Sequence, residues 1–318
     1  MKNVSKEMGL VLNEGTASKM KRKCLNLLVV AAMAALLVPS LALAVPLMGS
    51  ELSSFAALGA TTVTNIGATT LTGNLGVNSG AAITGQETVT LNGTTHVADP
   101  FALAAQNQLA ISRTNLGLLG PGTTLANADL AGLTLTPGVY TVSAGISNLT
   151  GTLTLDGQGD ANAFWAFQMA DTLITSSGSK VNVINAGTGS GVFWNVASSA
   201  TLGTTTAFEG NILALASITL DTGATIGCGR ALASTGAVTM AGNTISSACT
   251  ELLTGTTTGI GSGSNGFSGS GLSFDATTNT VVASGAVGAP VVPEPSTMIL
   301  FGSGLAGLVV FRKKFKKA

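Results

Sequence analysis

Charge is scarce in this sequence. Lys, Arg, Asp and Glu make up 9% of its 318 residues, against roughly 25% in an ordinary globular protein. The balance of 14 basic and 14 acidic residues hides an uneven placement. Eleven of the basic residues lie at the two ends, as Lys2, Lys6, Lys19, Lys21, Arg22 and Lys23 and as Arg312, Lys313, Lys314, Lys316 and Lys317. The body keeps only Arg113, Lys180 and Arg230 against eleven acids from Glu51 to Asp275. Nucleic acid is excluded as a partner, because holding phosphates needs a basic face.

Chemistry-bearing side chains are equally thin. The single histidine, His96, stands in a Thr-rich stretch with no second ligand at metal-binding spacing, and reads as a satisfied surface side chain. Asp156 and Asp160 flank Gly157-Gln-Gly159, but a calcium ion takes roughly 6–8 oxygens and no third carboxylate is near, so the segment reads as a turn. No Gly-x-Ser-x-Gly elbow is joined to a His and an acid. Gly187-Thr-Gly-Ser-Gly191 lacks the Lys and the following helix of a phosphate loop. The expectation is a protein with no catalytic residues, no cofactor and no metal.

What is abundant lies first at the ends. Lys19-Met-Lys-Arg-Lys23 precedes an apolar run from Leu25 to Leu43, and Ala42-Leu-Ala44 offers the small residues a signal peptidase reads, so cleavage is expected after Ala44. A retained transmembrane anchor is the alternative, since about 19 apolar residues just span a bilayer; both put the body outside the cytoplasm. The leader is long, and Met20 is the expected true start. At the far end Pro293-Glu294-Pro295 is followed by the apolar run Met298–Phe311 and then Arg312-Lys-Lys-Phe-Lys-Lys317. Short motif, apolar helix and basic end in this order resemble a PEP-CTERM sorting tail. The resemblance implies a membrane protease that cuts near the motif, a cell surface rich in exopolysaccharide, and an inner-membrane stay, transient or retained, through the C-terminal helix.

Between the ends the sequence repeats. Ser177-Gly-Ser179-Lys-Val181, Ser199-Ala-Thr201-Leu202, Gly223-Ala-Thr225-Ile226 and Gly242-Asn-Thr244-Ile245 share a small residue, a Ser or Thr and a following hydrophobe, with anchors 22, 24 and 19 residues apart. Repeats of roughly 20 residues signal a solenoid, whose rungs bury their apolar side chains by stacking. Gly151-Thr-Leu-Thr-Leu155 and Thr69-Thr-Leu-Thr-Gly73 alternate as half-buried strands do. Cys228 and Cys249, 21 residues apart in an exported chain, fall about one rung apart, within reach of a disulfide; free buried thiols are the alternative. Asp99-Pro100 caps a predicted amphipathic helix over 100–116, with Phe101, Ala105, Leu109, Ser112 and Leu116 on one stripe. The Gly/Ser/Thr-rich block 251–290 reads as a flexible linker, with a stray strand around Phe274 or Val281–Val282 as a minor alternative. The expected organisation is therefore leader and signal peptide 1–44, solenoid 45–250, linker 251–290 and sorting tail 291–318.

Threonine ranked on successive rungs makes a flat lattice. Neighbouring strands lie about 4.7–4.9 Å apart, and each Thr offers a methyl, a hydroxyl and a stiff χ1. Such a surface orders water in a fixed array, and the lack of charge leaves that array intact. Phe55-Ala-Ala-Leu-Gly59, Thr62-Val-Thr-Asn-Ile-Gly67, Leu71-Thr-Gly-Asn-Leu-Gly76, Leu130–Tyr140, Gly151–Gly157, Phe193-Trp-Asn-Val196 and Ala231–Thr239 together resemble, in order, the landmarks of the microbial ice-binding protein family. The resemblance implies an irregular right-handed β-solenoid of triangular section with one long helix alongside, and adsorption to ice through one flat face. Some members carry Thr-Ala/Gly-x-Thr/Asn there. This chain has Thr222-Gly-Ala-Thr225 and relaxed forms at 176–179, 198–201 and 241–244, so the expected ice-binding residues are Ser177, Ser179, Ser199, Thr201, Thr222, Thr225, Asn243 and Thr244. A structural or adhesive matrix protein that binds polysaccharide is the rival. It would need exposed aromatics, yet Trp165, Trp194 and Tyr140 stand in apolar contexts that read as core. A β-helical polysaccharide lyase would need clustered acids and a base.

Overall fold

The computed structural model describes residues 44–145, 148–249 and 265–284. The expected signal peptide, the sorting motif and the apolar run 298–311 lie outside these residues. Among the described residues no helix is long and apolar enough to cross a membrane.

Short strands with alternating burial stack into three rows, all parallel within a row. One row is a six-stranded sheet made of Leu173–Thr175, Ala200–Leu202, Ile218–Leu220, Val238–Ala241, Thr62–Ile66 and Ala82–Thr84; we call it the open face. A second row runs through Thr134–Leu135, Thr152–Asp156, Lys180–Ile184, the starts of Ala207–Ala214 and Thr225–Ala233, Thr244–Ser246, Thr69–Thr72 and Val89–Asn92. The third row, which a helix covers, includes Gly138–Val142, Phe164–Met169, Gly191–Val196, the later halves of 207–214 and 225–233, Phe55–Gly59 and Asn74–Val77. The strands 207–214 and 225–233 therefore bend round the ridge between the second and third rows, where Gly210 takes φ 100°. This is a β-solenoid, as the repeat spacing predicts, and it has the three faces that the family resemblance implies.

Stack order differs from chain order. The two N-terminal rungs pack onto the last one, with Val238 beside Val63 and Thr244 beside Thr70. After those rungs the chain must travel to the far end and build back. The helix Pro100–Leu118 makes that journey, and its 19 residues reach about 28 Å. It starts where the Asp99 carboxylate accepts the Ala102 N–H at 2.8 Å, and buries Ala102, Ala105, Leu109, Ser112 and Leu116. Arg113 fastens its side to the sheet by donating to the Val196 carbonyl at 2.9 Å.

Two apolar layers follow. Inside the solenoid Trp165, Phe167, Trp194 and Phe208 are buried, with the Phe167 and Trp194 rings stacked 4.0 Å apart. Between helix and sheet lie Leu52, Phe55, Leu58, Phe193, Leu213 and Leu232. Cys228 and Cys249 form a disulfide across stacked rungs, Cα atoms 4.9 Å apart.

The linker reading needs correction over residues 265–284; the rest of 251–290 lies outside the described residues. Leu272–Asp275 and Thr280–Ala283 form an antiparallel hairpin, and Val45–Pro46 pairs with its first strand. Phe267, Leu272 and Phe274 are buried, the latter two in the layer beneath the helix. Three apolar side chains spaced through a Gly/Ser background were enough to dock a segment whose composition suggests a tether.

A buried cation receives that segment. Arg230, fully buried, donates from Nε to the Ser53 carbonyl at 2.9 Å, from Nη1 to Asn211 Oδ1 at 2.8 Å and the Gly266 carbonyl at 2.9 Å, and from Nη2 to Asn265 Oδ1 at 2.7 Å. Its partners come from the N-terminal turn, the ridge and the C-terminal segment. Burial pushes its pKa down to about 9, so it is a cation at neutral pH. Arg230→Met would strand these acceptors in the interior and is expected to cost about 3–5 kcal/mol in a urea titration, with the segment 265–284 becoming sensitive to protease.

Candidate functional site

The open face places one outward residue of each strand in a common register. These are Ile174, Thr201, Thr219, Thr239, Thr64 and Thr84, each directly paired with the next. Five threonines thus stand in an unbroken column spanning about 19 Å at the strand spacing. Their neighbours point inward and are buried: Ala200 and Leu202, Ile218 and Leu220, Val238 and Met240, Val63 and Asn65. A slip of one residue would bury the hydroxyls and expose the apolar set, so the core enforces the column.

A second column flanks the first. Ser199, Ser217 and Ala237 stand two residues before Thr201, Thr219 and Thr239, and Thr62 pairs with Ala82. Its alignment is held by side chain as well as main chain: the Ala237 N–H donates to Ser217 Oγ at 3.1 Å and the Ser217 N–H to Ser199 Oγ at 3.3 Å. Neither column holds a charge. Asp221 and Ile66, the latter 66% exposed, stand only at the margin.

The predicted residues do not all share this face. Ser199 and Thr201 lie on it. Thr225 and Thr244 instead begin strands of the second row, where they pair with each other and on to Thr70 and Thr90. Thr222 and Ser177 are exposed in the turns between the two faces. Ser179 and Asn243 are corrections, being 1% and 2% exposed. Ser179 Oγ donates to the Leu149 and Ser176 carbonyls at 2.6 Å, and Asn243 Nδ2 to the Asp221 and Ala224 carbonyls at 2.9 Å. Both bind the corner turns together from within. The small-x-Ser/Thr pattern marks the corner of a rung, and corners differ in length, so its anchors fall at non-equivalent places.

Thr219, Thr239, Thr64 and Thr84 escaped the pattern. Their signal was the apolar-Thr-apolar triplet of Ile218-Thr-Leu220 and Val238-Thr-Met240, a strand mark rather than a corner mark. The other expected features fall into place. His96 Nδ1 donates to the Asp99 carboxylate at 2.8 Å, and the ring stacks on Phe101 at 4.5 Å. Asp156 and Asp160 accept the Gln158 and Asn162 N–H groups, as turn residues do. Trp165, Trp194 and Tyr140 are 0%, 0% and 8% exposed, which leaves them unable to stack on a sugar.

The second row has a mixed surface. Its Thr column is interrupted by Ala207 and Lys180, and Glu209 lies in the next column with its Oε2 buried and without a hydrogen-bond partner. Burial pushes the Glu209 pKa up to about 8, against the Cys228 N–H and the Lys180 charge, which both lower it. The folded state thus keeps a proton that the unfolded chain releases near pH 4.5, and stability falls as pH rises from about 4.5 to 8. Urea unfolding at pH 5 and pH 8 is expected to record this loss, of order a few kcal/mol, and Glu209→Gln to flatten it.

Residues 57–246, the whole stack of rungs, match the model of the ice-binding-like family. Residues 291–314 match the PEP-CTERM protein-sorting motif, a signal for export to the cell surface or extracellular space. An ice-binding protein of Nostoc sp. (strain HG1) is 41% identical over 301 residues, covering 94% of this chain and 98% of its own length. One from Flavobacterium frigoris (strain PS1) is 32% identical over 61% of this chain and 73% of its own. Among solved structures, an ice-binding protein from an Antarctic biological consortium shares 40% identity with a TM-score of 0.58 over 66% of this chain and 95% of its own. One from the ascomycete Antarctomyces psychrotrophicus shares 38% with a TM-score of 0.59 over 64% and 98%. With the family match running through every rung and a relative aligned almost end to end, the chain belongs to the ice-binding-like family and carries a PEP-CTERM sorting tail.

Proposed function

We propose that the protein adsorbs to ice through the open face and so limits ice growth or recrystallisation near the cell. The observation that carries this reading is the in-register column Thr201, Thr219, Thr239, Thr64 and Thr84 with its uncharged flank. The related ice-binding proteins support it. The column repeats at about the 4.7–4.9 Å strand spacing, and its rotamers are stiff because Thr is β-branched. Hydroxyls hold water while the methyls between them cage it without hydrogen bonding, so the surface pre-orders a sheet of water that a growing crystal incorporates. The rigid core below means that little conformational entropy is lost on adsorption.

No step of this action is chemical, and the protein is proposed to be non-catalytic. Its route begins with signal peptidase, proposed to cut after Ala44. A membrane protease that processes PEP-CTERM tails is proposed to act near Pro293-Glu294-Pro295 and deliver the body to a surface that carries exopolysaccharide.

The two Thr-bearing faces can be told apart by bulk. Thr219→Tyr and Thr239→Tyr interrupt the open face, and Thr244→Tyr and Thr70→Tyr the second row, all on outward positions that spare the core. In an ice recrystallisation assay the first pair is expected to need about tenfold more protein or worse, about 1.4 kcal/mol per decade, with circular dichroism unchanged. The second pair is expected to match the wild type. The reverse ranking would move the site to the second row, and equal activity of all four variants would reject adsorption through either face.

A further inference from the structure

The helix that closes the stack has a second apolar side. Its inner stripe, centred on Ala105, Leu109 and Leu116, is buried against the sheet. On the outer side Leu103, Ile111 and Leu118 remain 49%, 54% and 49% exposed, where a helix lying on a sheet ordinarily turns charged and polar residues to water. The outward positions Ala104, Asn107, Ile111, Thr114 and Leu118 recur at spacings of 3, 4, 3 and 4, with Leu103 and Ala110 alongside. That alternation is the seam by which one helix packs on another. None of these residues is charged. The helix's one charge, Arg113, is turned aside to the Val196 and Leu213 carbonyls.

The chemistry of the strip selects its partner. A lipid surface takes up helices that carry Lys or Arg on their polar face, and a charged protein surface needs an opposite charge; the strip offers neither. It is complementary to itself. About a two-fold axis at Ile111 an antiparallel copy sets Leu118 level with Ala104 at both ends, large against small, and Asn107 beside Thr114, amide against hydroxyl. Thr114 Oγ1 donates to the Ala110 carbonyl at 2.9 Å, which leaves its oxygen to accept from an Asn107 amide. A parallel copy would set Leu118 on Leu118 and leave a gap between the two Ala104.

We propose that this strip is a self-association surface: two copies of the chain pair through the outer sides of their helices, antiparallel about Ile111. The contact measures about 28 Å by about 10 Å, or about 600 Å² counted on both copies. Stable complexes bury roughly 1,200–2,000 Å², so the pair is reversible and half-formed at a concentration on the order of 0.1–1 mM. Freezing removes water from the remaining liquid, and a contact of this strength fills as the protein is concentrated there. The helix covers the third row, so pairing leaves the open face of each copy uncovered. The inference stands apart from the ice-binding reading.

The test uses the purified full chain. Ala104→Cys and Leu118→Cys forms with different affinity tags are mixed and oxidised gently, with the unchanged chain as control. Disulfides between the two forms are expected to exceed those within either form by at least about fivefold, because pairing raises the local concentration of 118 at 104. Cross-links chiefly of 104 to 104 and 118 to 118, or none above the control, would overturn the proposal. Sedimentation velocity of the unchanged chain from about 10 μM to about 1 mM is expected to pass from monomer to dimer. Ile111→Glu, which sets two carboxylates together at the axis, is expected to move that transition at least about tenfold higher in concentration. Asn107→Glu/Thr114→Lys, which places opposite charges across an antiparallel pair, is expected to move it at least about threefold lower. Circular dichroism checks the fold of each form, and the cysteine pair and the double change decide the matter if Ile111→Glu does not fold. Monomer throughout, a dimer indifferent to these changes, or flotation of the chain with phosphatidylcholine vesicles that Ile111→Glu abolishes would each overturn pairing through the strip.

Discussion

The in-register parallel pairing of the six open-face strands is the constraint on which the rest depends. Each strand contributes a short inward-outward-inward unit, and its register is locked because the inward residues, such as Ile218 and Leu220 or Val238 and Met240, are buried in the shared core. Threonine at the outward position of five successive strands then becomes a column without any interaction among the threonines beyond one hydroxyl contact, Thr84 to Thr64 at 3.3 Å. The surface order is thus a by-product of interior packing, and its rigidity is that of a close-packed core.

Everything else in the fold keeps that stack closed. Because the N-terminal rungs sit on the last one, the solenoid needs a connection along its length, and the helix both provides it and shields the face it covers. The ridge between the other two faces is where strands bend, where Gly210 and Gly229 leave room, and where main-chain groups would otherwise lack partners. Arg230 and Asn211 supply donors there, the segment 265–269 supplies acceptors, and the disulfide from Cys228 to Cys249 ties neighbouring rungs. A single buried cation serving neutral carbonyls and amides is stable only if all are present, which couples the two ends of the body to the middle.

Much of this was legible in the sequence, and the misses have physical causes. Period-two alternation around Leu153 and Leu155, the Asp99-Pro100 helix start and the Cys spacing depend on local rules, and each is realised in the structure. Membership of a column depends on corner length. Ser179 and Asn243 resemble Thr201 and Thr225 in local sequence, yet they fall one step before a strand and turn inward to satisfy carbonyls. That Thr64 stands next to Thr239 is set by the return of the chain through the helix, which no local pattern records. Phe267 and Leu272 were hidden by the glycine and serine around them, while Phe274 and Val281 were legible only as a stray strand; composition averages over a window, whereas docking needs only a few apolar side chains facing a prepared groove.

The central claim is that this lattice holds ice. Its most direct test is ice-affinity partitioning of the purified chain. A small ice ball is grown slowly in dilute protein mixed with a similar-sized protein that does not bind ice, and both are measured in the ice and in the remaining liquid. Enrichment of the chain in the ice fraction, with the companion left in the liquid, is the predicted result. Exclusion of both proteins alike would contradict the account.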